Sequence, residues 1–507
     1  MSAPSDASAA EAVSYGRRSH DLAQERGGED ALIFAPREGP DRVYSWEEFE
    51  RRSLQVAGLL QVRGLGQGDL LAIAIPNAPE HVFATVGAWK LGACVLPLRS
   101  DLPEWERRRL LEVARPRLTV GDWGGASAPD LTRADLEASA TAPVSPLEDR
   151  VADPATAIAS SGSTGSPKLI IRPGPGERVV GGVEGPIAHL DRPDRRTELV
   201  PAPLYHTNGF YLMQSALFNG DRVVLMERFE PRRVLGLIEE YNVGAVTMVP
   251  TMLLRLARCS GFDTADLSSL ERVITGGAVC PQWLARLWIE RVGGPCFLVT
   301  YGSTEGVGFS MIDGDEWLEH PGSVGRAAET EFRVLDEDGV ALPDGEVGEL
   351  FMRRSDTDVP SFQYVGARPA RRTEDGFTSV GDLGWLDAEG YLYIADRRSD
   401  MIISGGANVF PAEVEAALLE HPMVEDAAVI GVPDPQWGHR VHAVLQLREG
   451  ASGVPSDAWI AHCRDRVAAY KVPKSVEVVE RLPRSDAGKL NRASLAAARK
   501  EAAEGES

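Results

Sequence analysis

"DLLAIAIPNAPEHVFATVGAWKLGACVLPL", Asp69 to Leu98, holds the pattern that sets the fold class. Its apolar run Leu70–Ile75 stops at Pro76, as a buried strand does. From Pro79 onward Val82, Val86 and Trp89 recur at helical spacing, and Gly92 stands where such a helix would end. "CVLPL" then forms a second short apolar run. Strand, helix and strand in this order are the unit of a parallel sheet. The order returns in "RVVLMERFEPRRVLGLIEEYNVGAVTMVP", Arg222 to Pro250, where two apolar runs flank a helical pattern. The chain reads as α/β.

From Phe332 the texture changes. "FRVLDEDGVALPDGEVGELFMR" alternates apolar and polar residues around Asp-Gly turns, the pattern of antiparallel hairpins and of a β-rich subdomain. "GWLDAEGYLYIADRRSD" continues the short strands to Asp400. "FPAEVEAALLEHP" is then a helix with Pro411 near its start and Val414, Ala417 and Leu418 on one face. The strands "DAAVIGVPD", "VHAVLQL" and "SVEVVE" make the last hundred residues a small α+β unit. The expected domains are 1–398 and 399–507, consistent with a length of 507 residues, too long for one core.

The net charge of −22 argues against a nucleic-acid partner, because a phosphate backbone demands a basic surface. Any anionic ligand must therefore be met by a few local Lys and Arg residues. Five cysteines (Cys94, Cys259, Cys280, Cys296 and Cys463) are scattered without a CxxC pair, which supports neither a disulfide framework nor a zinc site. The first thirty residues lack the apolar core of a signal peptide, and no run approaches eighteen apolar residues. The expectation is a cytoplasmic protein with no membrane partner.

"SSGSTGSPKLI", Ser160 to Ile170, allows two readings. A Ser/Gly run between apolar segments is commonly a solvated turn. Glycine backbone, hydroxyls and a lysine together also suit an anion cradle. The spelling is not that of a P-loop, since Pro167 precedes Lys168 and Leu169 follows it.

Three further stretches bear on that choice: "TYGSTEG" (Thr300 to Gly306), "GDLGWLDAEGYLYIADRRSDMIISGGANVFPAEVE" (Gly381 to Glu415) and "LPRSDAGKLNR" (Leu482 to Arg492). In this order and with the Ser160–Ile170 run, the chain resembles the adenylate-forming acyl-CoA synthetase superfamily, over roughly Ser45 to Arg492. The spellings "SSGSTGSPKLI" and "PLYHTNGF" are most similar to its bacterial bile-acid and steroid-type CoA ligase branch. The resemblance implies a large N-terminal domain and a small mobile C-terminal one. It also implies a reaction in which a small organic acid and ATP give an acyl-adenylate and pyrophosphate, after which the thiol of CoA displaces AMP. ATP, Mg²⁺ and CoA are the implied cofactors.

The resemblance also implies roles. Ser161, Gly162, Ser163, Thr164, Gly165 and Lys168 would grip the β- and γ-phosphates. Tyr301 would stack on adenine, and Gly302 beside it belongs to the same nucleotide-binding stretch. Gly276, Gly277 and Ala278 would bring backbone to the adenine edge. Thr304 would bond the α-phosphate and Glu305 would hold Mg²⁺. Asp382 would accept the ribose hydroxyls, with Arg397 reaching ribose or phosphate. Lys489 would enter the site to bridge the carboxylate and the α-phosphate. Gly405 and Gly406 would line a pantetheine tunnel once the C-terminal domain rotates, and His206 would gate it.

The chain departs from the pattern at three points. Ser399 stands at the hinge where Asp or Lys is usual. "LIIRPGPGERVVGG" replaces the common "Gly-Val…Thr-His" continuation after Lys168. Val299 and Thr300 occupy places of an amide and a glycine, leaving adenine to be read mainly by backbone. Two other functions fit the motifs: adenylation with a carrier-protein, amine or nitrite partner (the last for diazotisation in natural-product biosynthesis), and a non-catalytic nucleotide-binding homologue.

Overall fold

The computed structural model describes residues 12–124, 128–161, 167–180, 195–327, 329–355, 361–451, 455–486 and 488–505. Its largest sheet has nine strands, in the order Arg326–Ala327, Phe309–Asp313, Phe297–Gly302, Arg272–Thr275, Ala245–Met248, Thr197–Val200, Arg222–Met226, Asp30–Ala35 and Arg42–Ser45. From Phe297–Gly302 to Asp30–Ala35 neighbouring strands run parallel; the strands beyond, at each edge, are antiparallel. Parallel strands need both faces covered, and the apolar runs seen in the sequence are the result. The strand Thr197–Val200 lies between Arg222–Met226 and Ala245–Met248, so the repeated strand–helix–strand unit spans a neighbour.

The opening stretch forms a separate parallel sheet of Leu70–Ala74, Cys94–Pro97 and Leu118–Gly121. Between its first two strands, helix Pro79–Lys90 is buried on every side instead of along one stripe. It packs against helices Trp46–Val62 and Tyr15–Arg26, and a helix enclosed this way has no polar face to spare. Lys90 is accommodated because its ammonium donates to Glu50 Oε2 (2.7 Å), Gly16 O (2.8 Å) and Ser19 Oγ (2.9 Å).

A bridge between Val95 and Thr156 joins this sheet to a small antiparallel one of Ala157–Ser161, Pro167–Ile171 and Gln363–Val365. The hairpin texture after Phe332 becomes an antiparallel sheet that includes Thr330–Leu335, Gly348–Arg354, Thr378–Leu386 and Leu392–Arg397. Beyond it, Val424–Asp434 pairs antiparallel with Gly438–Leu447, which pairs parallel with Ser475–Val479. Helices Pro411–Leu419 and Ser456–Arg464 cover these strands around Val414, Leu418, Val429, Trp459 and Cys463. This last part is tied to the first by Arg258, whose guanidinium donates to the carbonyls of Glu425 and Leu419, each at 2.8 Å.

All five cysteines are free thiols, and Cys94, Cys296 and Cys463 are buried. No helix among the described residues is long and apolar enough to cross a membrane.

Candidate active site

Ligands of open α/β sheets collect outside the carboxyl ends of the parallel strands. Here a continuous cleft of about 2110 Å³ opens there, lined by Ala202, Val249, Gly276 and Thr304 from the segments that follow four of those strands. The antiparallel sheets and the loop carrying Lys489 close it.

Strand Pro167–Ile171 supplies one wall. Successive side chains of a strand alternate between faces. Lys168 and Ile170 therefore point the same way, and both line the cleft. The Lys168 ammonium lies 3.4 Å from Glu305 Oε1 and 3.7 Å from the Tyr364 ring centroid. Burial pulls its pKa down, Glu305 opposes that, and Arg397 adds to it. Glu305 is buried, and its Oε1 also accepts from the Tyr364 hydroxyl at 2.6 Å. Gly162, Ser163, Thr164 and Gly165 lie outside the described residues, as does the side chain of Ser161. The strands on either side pair antiparallel, with Ser160 opposite Lys168, so both ends of that stretch are fixed beside Glu305.

Thr304 follows strand Phe297–Gly302, and its hydroxyl lies 2.7 Å from that of Thr207. Tyr301 is buried in the same strand and donates to Asp382 Oδ2 at 2.7 Å. Burial and the neighbouring carboxylate both raise its pKa. The other Asp382 oxygen is 3.4 Å from Arg397 Nε, its partner across the strand pair Thr378–Leu386 and Leu392–Arg397. Both oxygens of the Asp382 carboxylate are therefore engaged by side chains of the cleft. Gly276 is needed for close packing, since a Cβ there would sit 2.6 Å from Thr300 Oγ1. Thr300 donates to the Thr275 carbonyl at 3.1 Å, which turns its hydroxyl toward the neighbouring strand. Gly277, with φ of +79°, Ala278 and Gly302 complete this edge of the cleft.

Lys489 reaches the cleft on a loop that Gly488 allows to descend. Gly488 has φ of +74°, and a Cβ there would lie 2.2 Å from Thr251 Oγ1. The loop is held by the Ser485 amide, which donates to the Lys489 carbonyl at 2.9 Å, and outside by Arg228 on Asp486 at 2.9 Å. Lys489 stays open to solvent while the cleft walls crowd it. That crowding and the charge of Arg397 lower its pKa, and Glu305 opposes them. Burial, with Lys489 and Arg99 nearby, pulls the His206 pKa down to about 3. Its buried Nε2 has no hydrogen-bond partner among the described residues.

Gly405 and Gly406 stand apart. They form the two-residue turn between Ile402–Ser404 and Ala407–Val409, with φ of +59° and +82°, and do not line the cleft. Both central residues of such a turn require positive φ. The Gly405 amide donates to the Trp437 carbonyl at 2.9 Å, and a Cβ at Gly405 would lie 2.6 Å from the half-exposed Trp437 ring. Ser399, at the expected hinge, follows strand Leu392–Arg397 and donates to Asp400 Oδ1 at 3.2 Å.

Sequence reasoning missed Tyr364, Thr207 and Trp437. Tyr364 sits in "SFQYVG", which carries no motif; only the pairing of Gln363–Val365 with Pro167–Ile171 brings it to Glu305. Thr207 is adjacent to His206 in "PLYHTNGF" and was within reach of the sequence. Among the described residues no group of three or more His, Cys, Asp and Glu gathers to hold a metal. The cleft offers a divalent cation Glu305, whose Oε2 accepts no hydrogen bond from the described residues. One carboxylate suits Mg²⁺, which takes its remaining ligands from phosphates and water.

Residues 20–357 match the family model described as AMP-binding enzyme, and residues 413–489 match that of the AMP-binding enzyme C-terminal domain. The chain is 34% identical over 462 residues to a feruloyl-CoA synthase of Amycolatopsis sp, covering 88% of this chain and 92% of that protein. It is 34% identical over 487 residues to a 2-succinylbenzoate–CoA ligase of Bacillus velezensis, covering 93% and 95%. Among solved structures, the o-succinylbenzoate CoA synthetase of Bacillus subtilis with its acyl-adenylate intermediate superposes with a TM-score of 0.79 at 28% identity, over 94% of this chain and 97% of that one. The same synthetase with ATP and magnesium ion gives 0.79 at 28% identity, over 94% and 99%.

Two outcomes follow from this geometry. Gly488→Val should undock the Lys489 loop, so that amide exchange at Ser485 to Leu490 accelerates while the global unfolding transition stays in place. His206 should remain neutral from about pH 5 to pH 8, in contrast to an unperturbed imidazole near 6.5. Its folded-state pKa is depressed, so its stabilising contribution is intact above about 6.5 and is lost as pH falls from there toward 3. NMR titration of the imidazole and denaturation of His206→Gln across that range check both statements.

Proposed function

The chain belongs to the AMP-binding enzymes, the adenylate-forming superfamily its motifs resemble, and on that premise we propose that it is an ATP-dependent, AMP-forming acid–CoA ligase. The observation that carries this reading is the convergence of Lys489, Thr304, the Lys168–Glu305 pair and the Asp382–Arg397 pair on one cleft at the carboxyl ends of a parallel sheet. Its relatives named above are a feruloyl-CoA synthase and 2-succinylbenzoate–CoA ligases. The finer likeness to bile-acid and steroid-type ligases rests on two local spellings alone.

In the first half-reaction a carboxylate oxygen of the acid attacks the α-phosphorus of ATP, and pyrophosphate leaves. Little covalent work falls to the protein, whose task is to orient anions and stabilise growing charge. Lys168 and the Ser161–Gly165 stretch would hold the β- and γ-phosphates, and Glu305 would hold magnesium. When bound, that ion neutralises phosphate charge. Tyr301 fixes Asp382 for the ribose, while Arg397 sits on its other oxygen. Thr304, braced by Thr207, meets the α-phosphate. Lys489 bridges that phosphate and the incoming carboxylate. Its ammonium is disfavoured where it stands, and two anions arriving together reverse that penalty.

The second half-reaction needs a thiol to reach the adenylate carbonyl while Lys489 is out of the way. A division into domains 1–398 and 399–507, turning at Ser399, provides this. Rotation would carry Gly405, Gly406 and Trp437 to the cleft, where a side-chain-free turn beside an exposed indole suits the pantetheine arm. His206, neutral and apolar in effect, stands between acid and thiol. Amine, carrier-protein and nitrite partners, and a non-catalytic role, become outcomes of the test.

That test is ATP–pyrophosphate exchange over a panel of carboxylic acids and nitrite, followed by transfer with and without CoA. Exchange with carboxylic acids and transfer to CoA support the ligase; exchange with nitrite alone, or no dependence on CoA, overturns it. Lys489→Ala should lower adenylate formation at least about a hundredfold, as loss of a transition-state donor does. Thioester formation from a supplied acyl-adenylate should persist, whereas equal loss of both steps would make the lysine structural. Glu305→Gln should raise the Mg²⁺ concentration for half-maximal exchange without lowering thermal stability; an unchanged requirement removes Glu305 from the metal.

A further inference from the structure

The wall that presents Lys168 and Ile170 continues to Arg172, which follows strand Pro167–Ile171 and keeps its alternation. Arg172 lies in the "LIIRPGPG" stretch, where the chain leaves the family pattern. Its guanidinium comes so close to Gly306 that a Cβ there would sit 3.0 Å from Arg172 Cζ, and its Cζ is 5.7 Å from the Tyr211 ring centroid. Tyr211 belongs to helix Thr207–Asn219, whose Thr207, Asn208, Tyr211, Leu212, Ser215 and Phe218 face the cleft at helical spacing. Behind it Arg178 donates to the Tyr15 hydroxyl at 3.1 Å, and both residues line the same cleft. No ion pair joins Arg172 or Arg178 to a carboxylate among the described residues.

Two guanidinium groups thus line one cleft of an acidic protein, each beside a tyrosine and with no carboxylate bound to it among the described residues. Two rulers give the distance from the reacting end. Thr207, beside Thr304, and Tyr211 are four residues apart on one helix, about 6 Å along its axis. Gly306 is two residues beyond Thr304, about 7 Å at most. Ile170 lies between Lys168 and Arg172 on the strand face. The space therefore has Lys489 and Thr304 at one end and Arg172 about 6–7 Å further on, with Ile170 and Leu212 among its lining.

We propose that Arg172, backed by Tyr211, binds a second carboxylate on the acid substrate, so that the cleft selects dicarboxylic acids whose carboxyls are separated by a glutarate- or adipate-sized spacer or by one benzene ring. This rests on the acid-activating reading of the same cleft. A planar guanidinium matches a carboxylate with two parallel hydrogen bonds, and a site built for such a group rejects the analogue that lacks it.

The experiment is ATP–pyrophosphate exchange on the full chain with glutarate, adipate and terephthalate against their monomethyl esters. The wild type should prefer at least one free diacid over its ester by about tenfold or more in kcat/KM. Arg172→Gln should raise KM for that diacid about tenfold, leave KM for ATP unchanged and remove the preference over the ester; Arg172→Lys should restore part of it. Thermal melting of each variant identifies loss of fold, and Arg178→Gln then provides the second variant in its place. Exchange with equal preference for diacids and monoesters, or an Arg172→Gln variant that keeps the preference, overturns the proposal while leaving the ligase intact. Absence of exchange with every acid, in a protein whose melting temperature still rises with ATP, overturns the ligase reading and this proposal with it.

Discussion

An acidic chain that holds a polyphosphate must keep a few cations uncommitted in a confined space, and the cleft is organised around that constraint. Lys168 is the clearest case. Its ammonium rests on the face of Tyr364 and pairs at 3.4 Å with Glu305 Oε1, an oxygen it shares with the Tyr364 hydroxyl. An aromatic face stabilises a cation without neutralising it. The fold serves this arrangement: a parallel sheet places backbone and hydroxyls at its carboxyl ends, and a short antiparallel sheet brings the lysine across from them.

Most of the architecture was legible from hydrophobic pattern. The strand–helix–strand unit at Asp69 to Leu98, the hairpins after Phe332 and the helix at Pro411 stand where the sequence puts them, because each depends on local periodicity. The complete burial of helix Pro79–Lys90 was not legible, since Val82, Val86 and Trp89 mark one stripe, while Glu80, His81 and Lys90 are enclosed only by partners from distant segments. The insertion of strand Thr197–Val200 between two others is likewise a matter of sheet order, on which periodicity is silent.

The candidate site divides in the same way. Glu305, Asp382 and Lys489 stand in stretches with recognisable spelling. Tyr364 does not, and neither does the positive charge at Arg172, which reads as an interruption of the pattern until the strand's alternation aims it into the cleft. Gly405 and Gly406 show the reverse case. Their spelling points to a binding surface, while their geometry in this arrangement is a tight turn against Trp437, outside the lining of the cleft. Motif and position coincide there only if the C-terminal part moves.

The tie between Arg228 and Asp486 bears on that movement. Both side chains are close to half exposed, at 47% and 46%, and an ion pair in water contributes about 0–1 kcal/mol. The outer fastening of the Lys489 loop is therefore comparable to thermal energy, while inside Gly488 sits against Thr251 and Ser485 meets the Tyr205 hydroxyl. Such a clasp opens without a trigger and recloses without a memory of what it released. Occupancy of the cleft, and not the strength of this one fastening, would then decide how long the Lys489 loop stays seated, making the order of events a property of the contents.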